Sequence, residues 1–113
     1  MATSLLTRVE VASALNRKER AGEISRAGTR RAIARFDADC SSGRIILTPL
    51  HLEIAQSAAD LIRRLKLPHN RVGLRSVDAL HLATAIASRA TAVVTTDARL
   101  REASLLAGLG VKP

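Results

Sequence analysis

The sequence predicts a single α/β domain over residues 1–113, with a mostly parallel sheet flanked by helices. Stretches with helical apolar spacing alternate with short runs rich in β-branched residues, which is the order typical of parallel strands joined by helices. No linker, repeat or low-complexity segment divides the chain. Strands are predicted at residues 44–48 and 91–95, a further strand ends at residues 2–4, and residues 109–111 can add an edge strand.

Five helices are predicted from apolar spacing and from capping residues. They cover residues 7–20, 25–41, 50–66, 77–89 and 98–107. Thr7, Ser76 and Asp97 are placed to cap the first, fourth and fifth helices, and Gly22 follows the end of the first. The fourth helix is apolar nearly all round, which predicts burial. The third helix has four apolar residues spaced to face a core, namely Leu50, Ile54, Leu61 and Leu65.

The chain is strongly basic, with 18 Lys and Arg against 10 Asp and Glu and a formal net charge of +8. This imbalance favours a polyanionic partner, nucleic acid before membrane; arginine enrichment from a GC-rich genome is the alternative explanation. Phe36 is the only aromatic residue, which argues against single-strand readers that stack bases on aromatic platforms. No apolar run approaches the roughly 18–20 residues of a membrane span. The lone Cys40 cannot form an internal disulfide, which fits a reducing cytoplasm.

Three carboxylates are expected at one edge of the sheet. A helix that precedes a parallel strand runs antiparallel to it, so the start of the helix and the end of the strand share the edge where open α/β sheets bind ligands. Asp78, Asp97 and Glu10 all fall at such positions. Clustered carboxylates repel one another unless a cation bridges them. Oxygen ligands favour a hard ion such as Mg²⁺ or Mn²⁺ over zinc.

Each of these acids also has a local structural explanation. Thr7 and Glu10 match the spacing of a capping box. Asp78 lies in the first turn of its helix, where the helix dipole stabilises a carboxylate, and Asp97 is a natural N-cap. His81, one turn after Asp78, is interpreted as a packed or orienting residue.

Three segments resemble the PIN-domain family, in particular its VapC-like toxin ribonucleases. SLLTRVEVASAL (residues 4–15), LRSVDALHLATAI (74–86) and VVTTDARLREA (93–103) are similar to the segments that carry the second, third and fourth acids of the family. The order and separations agree over nearly the whole chain, and the DALHLATAI and TTDARL pair is the most specific part. The resemblance implies a three-layer PIN-like fold with a mostly parallel central sheet flanked by helices.

The resemblance also implies an activity, that of a metal-dependent endoribonuclease serving as the toxin of a type II toxin–antitoxin pair. Such an enzyme hydrolyses phosphodiesters with the help of Mg²⁺ or Mn²⁺. Carried over by position, Glu10, Asp78 and Asp97 would be catalytic metal ligands, and Ser4 and Thr95 would be assisting catalytic hydroxyls. The alternative for the two hydroxyls is that they end strands and bond the backbone.

RNA contacts and protein partners follow from the same resemblance. Arg71, Arg75 and Arg99 flank the expected edge and would hold RNA phosphates, with solvated surface charge as the alternative. The implied partners are an RNA substrate, a cognate antitoxin protein and a second copy of the chain in a homodimer.

The chain departs from the family pattern at its start. Family members begin with a strand ending in an Asp that is the first metal ligand, and this strand and the helices after it have no counterpart before Ser4. We therefore expect weak metal binding and poor RNA cleavage from the 113-residue chain. Two alternatives stay open: a non-catalytic PIN remnant that binds an antitoxin or a second copy, and a basic nucleic-acid-binding module without chemistry.

Overall fold

The structure, a computed structural model, describes residues 1–69 and 73–113. Within these residues the elements alternate in the order β1 (Ala2–Ser4), α1 (Leu6–Arg20), α2 (Arg26–Ser41), β2 (Ile46–Thr48), α3 (Leu52–Arg64), α4 (Ser76–Ala87), β3 (Ala92–Val94), α5 (Ala98–Leu106) and β4 (Gly110–Lys112). This alternation confirms the predicted α/β fold class. The chain divides into two compact units, Met1–Pro49 and Leu50–Pro113. In the described ranges, none of the helices has the length and apolar character needed to cross a membrane.

The N-terminal unit is built on two parallel strands, β1 and β2. Ala2 pairs with Ile46 and Ser4 with Thr48. The amide of Leu5 extends the ladder by donating to the carbonyl oxygen of Thr48 at 2.9 Å. Parallel strands cannot be joined by a tight hairpin, and the helices α1 and α2 provide the connection between them.

Helix α1 begins earlier than predicted. Leu5 occupies the N-cap position without a side-chain hydrogen bond, and Ser4 Oγ accepts from the first amide of the helix at 3.2 Å. Thr7 therefore lies inside the helix, with its Oγ1 2.7 Å from Thr3 Oγ1, and the predicted Thr7 cap is wrong. Glu10 is the fifth residue of α1, so the predicted capping box is wrong for the same reason.

The turn between α1 and α2 follows the predicted signals. Gly22 has a φ of 76°, a left-handed conformation that glycine adopts without steric cost. The amide of Gly22 donates to the carbonyl oxygen of Glu19 at 3.1 Å, and the amide of Glu23 donates to the carbonyl oxygen of Lys18 at 2.9 Å. These two bonds form a Schellman motif that ends α1. Ser25 then caps α2 by accepting from the amide three residues on at 3.0 Å.

The helices α1 and α2 pack against each other without enclosing a core. Neither helix contains a fully buried residue. Ile33, Phe36 and Cys40, which the sequence places on one face of α2, are half-buried. The pair therefore shields its apolar stripe only partly from water.

The C-terminal unit has a second parallel pair, β3 and β4, and the apolar core. Ala92 pairs with Gly110 and Val94 with Lys112, which confirms the predicted strand near residues 109–111. The buried apolar residues come from α3, α4, α5 and the segments joining them: Ile54, Ala58, Leu61, Leu67, Leu74, Ala79, Leu82, Ala83, Leu100, Ala103 and Leu109.

Two predictions about α3 and α4 are wrong at the helix starts. His51 is extended (φ −117°, ψ 175°) at the N-cap of α3, so Leu50 precedes the helix and is 38% exposed instead of facing the core. Arg75 takes the N-cap position of α4, and Ser76 is the first helical residue and not the cap. The prediction that α4 is buried holds for residues 78–85, which are all buried or half-buried. The exposed residues of α4, Val77 and Ile86 among them, lie at its two ends.

Replacing Leu82 with alanine is expected to destabilise the chain strongly. The side chain of Leu82 is 0% exposed, and removing it costs about 2–4 kcal/mol through lost burial and an unfilled cavity. The matched control is Leu52→Ala, since Leu52 is also helical but 69% exposed, and we expect its effect to stay within ~0.5 kcal/mol. Urea unfolding followed by circular dichroism measures both. Equal losses in the two variants would contradict the assigned core.

Candidate functional site

The carboxylate of Asp78 is held at the start of the best-buried helix of the C-terminal unit. Asp78 is the third residue of α4 and is half-buried. The next residue, Ala79, and Leu82 one turn later are both fully buried. Side chains three and four positions apart on a helix lie on the same side, so packing of α4 restricts the direction in which Asp78 projects.

Asp97 is fixed by two local hydrogen bonds, one to its carboxylate and one from its backbone amide. Its Oδ1 accepts from the amide of Leu100 at 2.9 Å, which makes Asp97 the N-cap of α5 as predicted. Its own amide donates to Thr95 Oγ1 at 3.0 Å. The amide of Thr95 in turn donates to the carbonyl oxygen of Lys112 at 3.0 Å. The segment after β3 is thereby anchored to β4, and Thr95 acts through Asp97 by positioning it.

Asp97 lies close enough to Asp78 to act on the ionisation of its carboxyl group. Burial raises the pKa of the Asp78 carboxyl above its ordinary value, and the negative charge of Asp97 raises it further. His81, Arg75 and Arg99 act on the same pKa in the opposite direction. The structure thus brings together two carboxylates, a histidine and two arginines at the end of β3 and the start of α4.

This acid pair fits a hard divalent cation by the chemistry of its donors. Two carboxylates that raise the cost of each other's ionisation are relieved by a positive charge between them, and carboxylate oxygens are the ligands that Mg²⁺ and Mn²⁺ prefer. The described residues contain no group of three or more His, Cys, Asp or Glu side chains arranged to hold a metal ion. The three-acid ligand set therefore stays a prediction, and the structural observation is the acid pair.

The remaining predicted site residues have the following places. Ser4 is 1% exposed, and its hydroxyl bonds the start of α1 as the alternative interpretation expected. Glu10 lies in the N-terminal unit on an exposed part of α1 and takes part in a polar interaction of its own. Arg75 is exposed and Arg99 half-buried, both close enough to Asp78 to lower its pKa. Arg71 lies outside the described residues.

His81, interpreted from the sequence as a packed or orienting residue, lies beside the acid pair. The spacing of three residues between Asp78 and His81 is a signal that was available, because it places both on the same side of α4. The structure shows that His81 acts electrostatically on Asp78. This agrees with an orienting role for His81 and adds it to the surroundings of the acid pair.

An α/β fold with parallel strands and a carboxylate pair at the strand ends defines a class of ligand-binding and catalytic domains. Comparison with known families identifies the family within this class, because residues 1–106 match the PIN domain family. The chain therefore belongs to the PIN-domain family, whose members commonly are nucleases and generally depend on divalent metal ions. Searches of curated proteins and of solved structures gave no match.

Asp78→Asn is expected to stabilise the folded chain at neutral pH. The pKa of Asp78 is higher in the folded state than in the unfolded state, so between these two pKa values the folded state binds more protons. The free energy of unfolding therefore falls as the pH rises from the unfolded-state pKa through the folded-state pKa. Asparagine removes the repulsion between the carboxylates of Asp78 and Asp97. We expect the free energy of unfolding to rise by about 0.5 kcal/mol, which corresponds to roughly 2–4 °C in Tm. Asparagine also flattens the pH dependence from about pH 4 upward.

Thermal unfolding between pH 4 and 8, with and without Mn²⁺, measures both effects. The matched control is Asp60→Asn, which removes an exposed acid paired with Arg64. Ion binding at ten times the Kd should stabilise the parent chain and the control by about 1.4 kcal/mol and Asp78→Asn by less. A lower Tm for Asp78→Asn without metal, or an equal Mn²⁺ response in all three, would contradict the assigned pair.

Proposed function

We propose that this PIN-domain chain is a metal-dependent endoribonuclease and the toxin of a type II toxin–antitoxin system. The observation that carries the proposal is the electrostatically coupled pair of Asp78 and Asp97 at the carboxyl end of β3. The net charge of +8 supports a polyanionic substrate. Membership of a family that commonly includes nucleases supports RNA hydrolysis as the chemistry.

In the proposed mechanism the chain supplies the ligands and the substrate contacts. Asp78 and Asp97 would hold Mg²⁺ or Mn²⁺, and by the resemblance to the family Glu10 would be the third acid. When bound, such an ion supplies Lewis acidity and neutralises charge on the transferring phosphate. Arg75 and Arg99 orient the phosphate by charge-assisted hydrogen bonds.

Two further residues act on the acid pair, Thr95 by positioning Asp97 and His81 by its effect on the pKa of Asp78. Thr95 keeps Asp97 in place because its hydroxyl oxygen accepts a hydrogen bond from the Asp97 amide. His81 lowers the pKa of Asp78 and so favours the ionised form that ligates a cation.

The proposed partners are an antitoxin protein and a second copy of the chain. Both come from the similarity of three segments to VapC-like toxins, and the basic surface is suited to an acidic partner segment.

Removing either member of the acid pair is expected to abolish Mg²⁺- or Mn²⁺-dependent RNA cleavage. We expect losses on the order of 100-fold or more for Asp78→Asn and Asp97→Asn, and no change for Asp60→Asn. Asparagine caps helices about as well as aspartate, so Asp97→Asn separates loss of charge from loss of the α5 cap. Cleavage of a labelled RNA, with thermal unfolding as the folding control, gives the comparison.

The outcomes of this assay separate the candidate functions. Cleavage that survives both substitutions, or that persists in EDTA, would refute the proposed nuclease site. Salt-sensitive RNA binding that is indifferent to replacing all three acids, with no cleavage by any version, would favour a basic binding module without chemistry.

A second candidate function, binding of a protein partner without catalysis, is favoured by a groove in the N-terminal unit. The groove lies between α1 and α2 and has a volume of about 380 Å³. Apolar atoms from Val11, Ala14, Leu15 and Phe36 contribute to its lining. Grooves of this kind, between two helices, accept the apolar face of an amphipathic helix.

Filling the groove is expected to weaken complex formation with a co-expressed small protein encoded beside this chain. Ala14→Glu places a charged side chain in the groove, and we expect at least tenfold weaker binding. The control is Asn16→Glu, an exposed position on the same helix. Size-exclusion chromatography and calorimetry measure the complex. A stable complex sensitive to Ala14→Glu, with no nuclease activity in any version, would favour this second candidate; identical binding by both variants would count against the groove.

A further inference from the structure

The turn between α1 and α2 carries an unusual concentration of positive charge. Residues 17–35, which we call the basic hairpin, contain seven Lys and Arg and two Glu. The cations are Arg17, Lys18, Arg20, Arg26, Arg30, Arg31 and Arg35. All seven are exposed. Much of the net charge of the chain is therefore concentrated in this one segment.

Helix stability explains the cations of α1 but not those of α2. Arg17, Lys18 and Arg20 lie in the last turn of α1, where the negative end of the helix dipole stabilises them. Arg26, by contrast, is in the first turn of α2, which contains no acid and where the dipole disfavours a cation. Arg30, four residues after Arg26, adds like-charge repulsion along the helix. Arg26 and Arg30 thus lower the stability of the helix that carries them.

Ion pairing does not account for Arg26, Arg30 and Arg31 either. In residues 1–69 and 73–113, the ion pairs between arginine and acid in the N-terminal unit involve Arg8, Arg35 and Arg44. None of the ion pairs in those ranges involves Arg26, Arg30 or Arg31. These three guanidinium groups lie in solvent with their charge uncompensated.

The backbone that presents these arginines is well defined. The Schellman motif at Gly22 ends α1, and the hydroxyl of Ser25 caps α2. Gly28 makes room for Ile24, since a Cβ at position 28 would lie 2.7 Å from Ile24 Cγ1. Ile24 therefore packs closely on the first turn of α2. The arginines project from an ordered helix start and not from a flexible loop.

We propose that the basic hairpin is an RNA-binding surface that grips the phosphate backbone, in addition to the acid pair. The guanidinium group binds phosphate through two parallel hydrogen bonds. Arg26, Arg30 and Arg31 span the first turns of α2, a rise of ~8 Å at 1.5 Å per residue, over which one duplex strand presents about two phosphates. The proposal rests on the proposed function in one respect, that the polyanion is RNA.

Two features favour RNA backbone over the other polyanions and readout modes. Phe36 is the only aromatic residue and is half-buried, so the surface offers no platform for stacking bases and binds without sequence preference. An acidic protein bound to the basic hairpin would take its apolar anchor from the neighbouring α1–α2 groove, and the competition experiment below tests for that class of partner. No large apolar side chain within residues 17–35 is exposed.

The test is RNA binding by fluorescence anisotropy in EDTA, with a labelled 20-nucleotide 2′-O-methyl RNA that cannot be cleaved. The variant is Arg26→Gln/Arg30→Gln/Arg31→Gln. Its control, Arg63→Gln/Lys66→Gln/Arg89→Gln, removes the same charge from three exposed positions of the C-terminal unit. At 50 mM salt we expect a loss of affinity on the order of 10–100-fold for the variant and less than threefold for the control. The slope of log K against log salt should fall in magnitude by about 2, at ~0.7 per phosphate contact.

Each outcome has a defined meaning. Equal losses in variant and control, or an unchanged salt slope, would overturn the proposal. Competition with polyglutamate of the same charge as the RNA gives a further test. If polyglutamate displaces RNA fully from the parent chain but not from the variant, the surface belongs to an acidic protein partner and the proposal is overturned. Thermal unfolding checks folding, and we expect the variant to be at least as stable as its parent because it loses like-charge repulsion.

Failure of this proposal can be told apart from failure of the nuclease proposal. A chain that binds RNA through these arginines but never cleaves it contradicts the nuclease site and leaves the basic hairpin intact. If cleavage depends on Asp78 and Asp97 but RNA affinity is unchanged by replacing the arginines, the nuclease site is supported and the basic hairpin proposal is contradicted.

Discussion

Packing of α4 into the apolar core is the constraint on which the candidate site depends. Ala79, Leu82 and Ala83 are almost completely buried, and this leaves the preceding Asp78 at the margin of the core, partly removed from water. Partial burial raises the pKa of Asp78 before any neighbouring charge acts on it. The acid pair is therefore a product of core packing as much as of local sequence, and a change in the core reaches the site through α4.

Two features of the fold lower its stability, and each lies where a ligand is proposed to bind. Repulsion between Asp78 and Asp97 is unfavourable in the absence of a cation, and so is the row of arginines at the start of α2. Natural proteins retain such features where a ligand offsets them. The two features attract opposite kinds of ligand, a cation at the acid pair and a polyanion at the basic hairpin, which is the combination that a metal-dependent nuclease requires.

Much of this organisation could be predicted from the sequence, because it depends on local signals. Gly22 and Ser25 mark helix ends in the backbone itself, and the meeting of Asp78 with Asp97 follows from the geometry of a helix and the strand after it. Thr7, Ser76 and Leu50 were misassigned because several hydroxyls or apolar residues stand near each helix start. The choice among them depends on where the preceding segment turns. The proposal that Glu10 is a third acid depends on contacts between distant segments, for which sequence spacing gives no measure.

The absence of a closed apolar core in the α1–α2 pair has a consequence for dynamics. Regions with few buried apolar contacts open locally at lower free energy than the regions around a core. Amide hydrogens of α1 and α2 should therefore exchange with solvent much faster than those of α3 and α4, which contain Ile54 and Leu82. A ligand that orders the α1–α2 pair must supply the entropy of that ordering from its own binding energy. Protection from exchange in α1 and α2 would then report occupancy of this unit directly, whatever the chemistry of the ligand.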